Sequence, residues 1–230
     1  MNEWQLPYGN IIAQNHHASL LHYQYQDRQA GEHLNSLLID AGANVDGYAS
    51  DITRTYVGPR CYSQAAADLF AELLERMQTH QDALIDQVVP GANYVDLQAA
   101  MHQSLARILV DTGIVQCEPE EAFNSDLTVP FCPHGLGHLL GIQVHDVGGQ
   151  QLDIDGQTNP PPEPYASLRL TRPLVEDMVI TVEPGLYFIP MLLEKKRAEG
   201  APIDWRLVEL LTPFGCLLYT SPSPRDRIAS

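Results

Sequence analysis

Basic side chains are scarce in this chain: 13 lysines and arginines stand against 29 aspartates and glutamates, a formal net charge of −16. Nucleic acids and anionic membranes are bound through basic patches, and the sequence has none, which excludes both as expected partners. Cysteine is sparse as well. Cys61, Cys117, Cys132 and Cys216 form no CxxC pair, which argues against a disulfide framework and against a structural zinc. Cys132 lies near a group of histidines but reads as a buried bystander thiol. No apolar run reaches the length of a transmembrane helix, and the opening MNEWQLPYGN has neither the basic nor the apolar region of a secretory signal. The expected location is the cytoplasm.

What the chain does have is the segment FCPHGLGHLLGIQVHD (residues 131–146), with three histidines at fixed offsets in a glycine-punctuated frame. Upstream lies LLIDAGANVDGYASDITRTY (37–56), and downstream VITVEPGLYF (179–188). Asp40, Asp51 and Glu183 thus each sit in a strand-like apolar run, where an unpaired carboxylate is expensive to bury. Arg54 and Arg169 are the nearest basic candidates and would offset one charge each. A divalent metal would offset all three and would use His138 as well. Oxygen-rich ligands with one imidazole suit Mn, Co, Zn or Fe(II), and the sequence does not choose among them.

The two aspartates are open to a geometric test. Asp46-Gly47 between them is a two-residue hairpin signal. Paired positions across such a loop sum to an odd number, and 40 + 51 = 91 is odd, so both side chains are expected on one face unless a bulge intervenes.

Short strands are expected at 10–13 and 19–23, ahead of that hairpin. A helix follows over 63–87, with Phe70, Leu73, Leu74, Met77 and Leu84 at helical spacing, and Pro90-Gly91 closes the segment. A second helix starts near Asn93, which can cap it, and buries Leu97, Met101, Leu105, Ile108 and Leu109. One short helix is expected within 118–126. Strands return at 141–145 and 178–189, separated by a proline-rich loop at 160–164. Strands and helices segregated into blocks predict an α+β architecture, with helices packed on a mostly antiparallel sheet. His16, His17, His33, His80 and His102 read as solvated or packed side chains. The last stretch, CLLYTSPSPRDRIAS (216–230), lacks the alternation of a core strand and reads as a disordered or foreign tail.

Taken in order, PYGNI, LLHY, LLIDAGA, GYASDITRTY, PHGLGH, GIQVHDVGG, LRLTR and TVEPGLYFI resemble the bacterial Xaa-Pro dipeptidases (prolidases) over residues 7–215. These belong to the metallopeptidase family that also contains aminopeptidase P and methionine aminopeptidase. The organophosphorus acid anhydrolases share the same strings. The resemblance implies a pita-bread (creatinase/aminopeptidase-like) domain holding two divalent cations, typically manganese. A hydroxide held between them would cleave dipeptides that end in proline.

Carried over residue by residue, the resemblance makes Asp40, Asp51, His138 and Glu183 the metal ligands, with Asp51 bridging. It makes His22 a contact to the substrate or leaving amine, and His145 the group that steadies the tetrahedral intermediate. Arg169 would grip the carboxylate of the C-terminal proline, a two-oxygen target suited to a guanidinium fork. His134 and Tyr8 would line the pocket, with structural hydrogen bonding an equal alternative for each. Full-length members carry an N-terminal domain and form homodimers.

A fifth ligand, a glutamate in a strand after PFG, is expected next, but the chain reads PFGCLLYTSPSPRD. The expected division is therefore a catalytic domain over 1–215, incomplete at both ends and short of its last strand, and an unrelated tail over 216–230. Little or no activity is expected of this polypeptide. The alternatives are a catalytically dead binding module of the same fold, and an organophosphate or aminopeptidase P-like hydrolase.

Overall fold

Strand β2 (Leu34–Ala41) pairs antiparallel with β1 (Ile11–Gln14) on one side and with β5 (Ile52–Arg60) on the other. The computed structural model describes residues 6–25, 31–163 and 165–222. Along β1 the buried residues alternate with exposed ones, Ile11 and Ala13 turning inward, as a half-buried strand requires. Between β2 and β5 the chain forms a small hairpin, β3 (Asn44–Val45) and β4 (Tyr48–Ala49), closed by Asp46 and Gly47. Both turn residues have positive φ, 51° and 88°, which is the backbone a tight two-residue loop between right-twisted strands demands. Asp40 lies opposite Thr53, two residues from Asp51, so the two aspartates do share a face. The bulge in this pair falls at Leu34 and Ser36, away from them.

Helix α1 (Gln64–Ile85) begins where the Ser63 hydroxyl accepts from the Ala66 N–H, and α2 (Tyr94–Asp111) where Asn93 accepts from Val95. Their apolar stripes form the main core with Phe131, Leu136, Ile180 and Phe188. Helix α3 (Pro119–Asn124) follows α2. The second half supplies strands β6 (Thr181–Val182) and β7 (Gly185–Tyr187), helices α4 (Pro190–Ala198) and α5 (Trp205–Leu211), and strands β8 (Cys216–Leu218) and β9 (Ser221–Pro222). α1 packs against β5, β6 and β8. Every pairing among the described residues is antiparallel, so the α+β expectation holds.

Several local expectations are corrected. Residues 19–23 are not a strand: Asn15 turns left-handed at φ 57°, a 3-10 turn covers Asn15–Ser19, and the Ser19 hydroxyl donates to the His16 carbonyl. Residues 141–145 are not a strand either. The Asp146 carboxylate accepts from the N–H groups of Ile142 and Val147, and these local bonds take the donors a ladder would need. The run 178–189 splits into β6 and β7 at Glu183-Pro184, because proline has no N–H for the ladder. Helices α4 and α5 went unanticipated; Asp204 caps α5 by accepting from Arg206 and Leu207.

The largest correction concerns the expected tail and the missing last strand. Cys216–Leu218 pairs with Gly185–Tyr187, and Ser221–Pro222 pairs with Thr181–Val182. Cys216 and Leu217 are fully buried. A strand covered on both faces is uniformly apolar, so the absence of alternation in CLLY was no argument against one. Residues 223–230 lie outside the described residues.

Candidate metal centre

Five segments carry acidic or imidazole side chains into one cleft of about 260 Å³: residues 21–22, the end of β2, Asp51 just before β5, the 133–145 loop and the β6–β7 junction. Asp40, Asp51, His138 and Glu183 all line it, as do His22, His134, His145 and Arg169. The tightest group is Asp51, His138 and Glu183, which offer ligand atoms within 4.8 Å of one another. Asp51 and His138 are buried and Glu183 is half-buried.

Local bonds aim each of these side chains. The His138 Nδ1–H donates to the Leu139 carbonyl at 2.8 Å, which orients the ring and turns Nε2 towards the cleft. Nε2 lies 3.0 Å from Glu183 Oε1 and 3.4 Å from Asp51 Oδ2, yet it is buried and makes no directed hydrogen bond. Thr181 ties the ligands together: its hydroxyl donates to Glu183 Oε1 at 2.5 Å and accepts from the His138 backbone N–H at 3.0 Å. Gly137 permits this approach, since a Cβ there would meet the Thr181 carbonyl at 2.1 Å and the Tyr94 hydroxyl at 2.4 Å.

Tyr8 sits between the two aspartates. Its hydroxyl is 2.6 Å from Asp40 Oδ1 and 2.9 Å from Asp51 Oδ1, and one hydrogen cannot serve both. Burial, opposed by the hydrogen bonds from Tyr8 and Thr53 and reinforced by the charge of Asp51, pushes the Asp40 carboxyl up to about 6. Burial disfavours charge on His138 too, but the Asp51 and Glu183 side chains outweigh it and raise its pKa to about 10. A proton there takes the part of a cation. No lysine or arginine among the described residues forms an ion pair with Asp40, Asp51 or Glu183. Arg54 instead donates to the Thr53 and Thr220 carbonyls and faces the Tyr219 ring. A buried imidazole nitrogen facing two carboxylates that no lysine or arginine neutralises fits a divalent cation in the place of that proton.

The remaining expected residues lie around this group. His145 stacks edge-on against His138 with ring centroids 4.4 Å apart. Burial, together with His138 and Arg169, lowers its pKa to about 4, which leaves the donating form and not the cationic one at neutral pH. His22 and Arg169 are exposed at the mouth, and His134 lies deeper, its Nδ1–H bonded to the Gly135 carbonyl and its Nε2 buried without a partner.

The model of metallopeptidase family M24 matches residues 1–210. The chain belongs to metallopeptidase family M24. It is 45% identical over 215 residues to an Xaa-Pro dipeptidase of Shewanella woodyi, covering 93% of this chain and 47% of that relative. To an Xaa-Pro dipeptidase of Stenotrophomonas maltophilia it is 43% identical over 213 residues, covering 92% and 47%. Among solved structures, aminopeptidase PepP of Pseudomonas aeruginosa matches with a TM-score of 0.71 and 27% identity, over 95% of this chain and 42% of that one. Zinc-substituted E. coli aminopeptidase P in complex with product matches at 0.70 and 25%, with the same coverage. The chain spans about half the length of the curated relatives it matches.

The terminal strand forms, and it brings Leu218 and Thr220 to the wall of the cleft, where the resemblance implied a carboxylate. The Thr220 hydroxyl donates to Thr53 Oγ1 at 3.1 Å, and Thr53 in turn lies opposite Asp40 across the β2–β5 pair. Sequence reasoning missed Thr181 and Thr53 altogether. The signal was present for Thr181, which stands two residues before Glu183 on the same strand face. No helix among the described residues is long and apolar enough to cross a membrane.

Proposed function

We propose that this site belongs to a cytoplasmic metal-dependent dipeptidase that cleaves Xaa-Pro dipeptides, using two divalent cations, typically manganese. The observation that carries the reading is His138 Nε2, buried without a hydrogen-bond partner and facing Asp51 and Glu183. Asp51, His138 and Glu183 would hold one cation, and Asp40 together with Asp51 would help hold the other. When bound, the cations acidify a water and polarise the scissile carbonyl.

The chain's own groups do the rest. Arg169, exposed at the mouth, receives the carboxylate of the terminal proline as a bidentate fork. His145, neutral and beside His138, donates to the oxygen that gains charge. His22 contacts the leaving amine from the rim, while Tyr8 and His134 shape the pocket and hold its hydrogen-bond frame. Thr220 offers a hydroxyl and no charge, so the second cation is held less firmly and turnover by this polypeptide is low.

That same threonine favours a second reading, a binding module that keeps the fold without catalysis. Release of free proline from a dipeptide ending in proline, measured with Mn(II), separates the two. Slow release that EDTA and Asp51→Asn abolish, and that Thr220→Glu accelerates, supports the dipeptidase. No release from either the chain or the Thr220→Glu protein contradicts it.

A further inference from the structure

Helix α2 presents Tyr94, Gln98 and His102 four residues apart along one face, and all three are buried. Each bonds a different part of the wall behind the cleft. The Tyr94 hydroxyl donates to the Thr181 carbonyl at 2.6 Å. The Leu136 backbone N–H, in the loop between His134 and His138, donates to Gln98 Oε1 at 2.6 Å. Gln98 Nε2 is 3.0 Å from His102 Nε2, and His102 Nδ1 is 2.9 Å from Thr128 Oγ1.

The direction of this chain of bonds is fixed at one end. A backbone N–H only donates, so Gln98 Oε1 is the acceptor and its amide nitrogen has hydrogens to give. His102 Nε2 must then be the acceptor, and the ring's single hydrogen lies on Nδ1, donated to Thr128. Any other tautomer, or a protonated ring, sets one N–H against another. Burial, with His134 and His80 nearby, keeps the ring neutral by lowering its pKa to about 4. Tyr165 stacks on the other side of His102, with centroids 5.1 Å apart and planes 7° from parallel. Tyr165 also accepts the Leu168 N–H, one residue before Arg169.

We infer that Gln98 and His102 are positioning residues: a directed relay from Thr128 to the Leu136 N–H that holds the 134–138 loop, and with it His138, in the geometry a cation needs. The inference rests on the metal reading above for its binding arm but not for its structural arm. Unlike Thr181, neither residue touches a proposed ligand, and neither lines the cleft.

Two substitutions at one position separate the relay from simple packing. His102→Phe keeps a ring against Tyr165 and removes the acceptor for Gln98, whereas His102→Gln keeps an acceptor and a donor and removes the ring. Gln98→Met removes the link at similar volume and serves as the second test should His102→Phe fold poorly. In metal-free protein, hydrogen exchange at the Leu136 amide should quicken about 10-fold or more in His102→Phe and Gln98→Met, and much less in His102→Gln. Calorimetric Mn(II) affinity should fall about 10-fold in the same two variants and stay near the starting value in His102→Gln. Unchanged exchange and affinity in His102→Phe, or equal damage in His102→Gln, would overturn the relay. Failure of the unsubstituted chain to bind Mn(II) would refute the metal reading instead, and the exchange arm would still decide the relay.

Discussion

Replacing His80 with leucine should stabilise the protein, and by more as the pH falls. His80 lies on the buried face of α1, 4% exposed, and neither ring nitrogen has a hydrogen-bond partner among the described residues. An apolar side chain of similar size removes two unsatisfied polar atoms, each costing about 1–3 kcal/mol when fully desolvated. The pH dependence has its own sign. Burial lowers the pKa from 6.5 to about 4. Above pH 6.5 the ring is neutral in both states and contributes no slope. Below it the unfolded chain takes up a proton that the folded chain refuses until about pH 4, so stability drains away across that window at about 1.4 kcal/mol per unit, roughly 3 kcal/mol in total. Urea unfolding followed by circular dichroism, with EDTA present, reads the difference directly. The advantage of His80→Leu over the unsubstituted protein should grow by about 2 kcal/mol between about pH 7.5 and about pH 5. His102 is also present in both proteins, and burial, the largest cause of its lowered pKa, acts in each. An advantage that is the same at both pH values would refute the assignment of His80 as a neutral, desolvated imidazole.

The proposed site yields two further expectations. Thr181→Val removes the hydroxyl shared by Glu183 and the His138 N–H, and should weaken Mn(II) binding about 10-fold in a calorimetric titration while the fold persists by circular dichroism. Thr220→Glu adds a carboxylate to the cleft wall near Thr53 and Asp40, and should raise the bound manganese per chain, counted by elemental analysis after dialysis, towards two.

The sequence carried the site's carboxylates further than its architecture. The parity of Asp40 and Asp51 across a two-residue turn is a property of strand geometry alone, and the register with Asp40 opposite Thr53 obeys it. Helices α1 and α2 were equally legible, because Ser63 and Asn93 cap long apolar stripes. Local bonds hid the rest. Residues 141–145 look like a strand by hydrophobicity, yet Asp146 binds their backbone. Cys216 and Leu217 look like the start of a tail, yet both faces of that strand are covered. The relay through Gln98 and His102 was invisible for a different reason: Leu136 lies 38 residues from Gln98, and no local pattern reports a bond at that separation. His102 therefore reads as one more packed histidine until the structure shows its partners.

The central claim, that Asp51, His138 and Glu183 form a cation site, is tested most directly by titrating the 230-residue chain with Mn(II) in a calorimeter. The account predicts saturable binding in the micromolar range, lost when His138 is replaced by alanine in a chain that remains folded. No heat of binding at micromolar manganese, or binding that His138→Ala leaves intact, would contradict it.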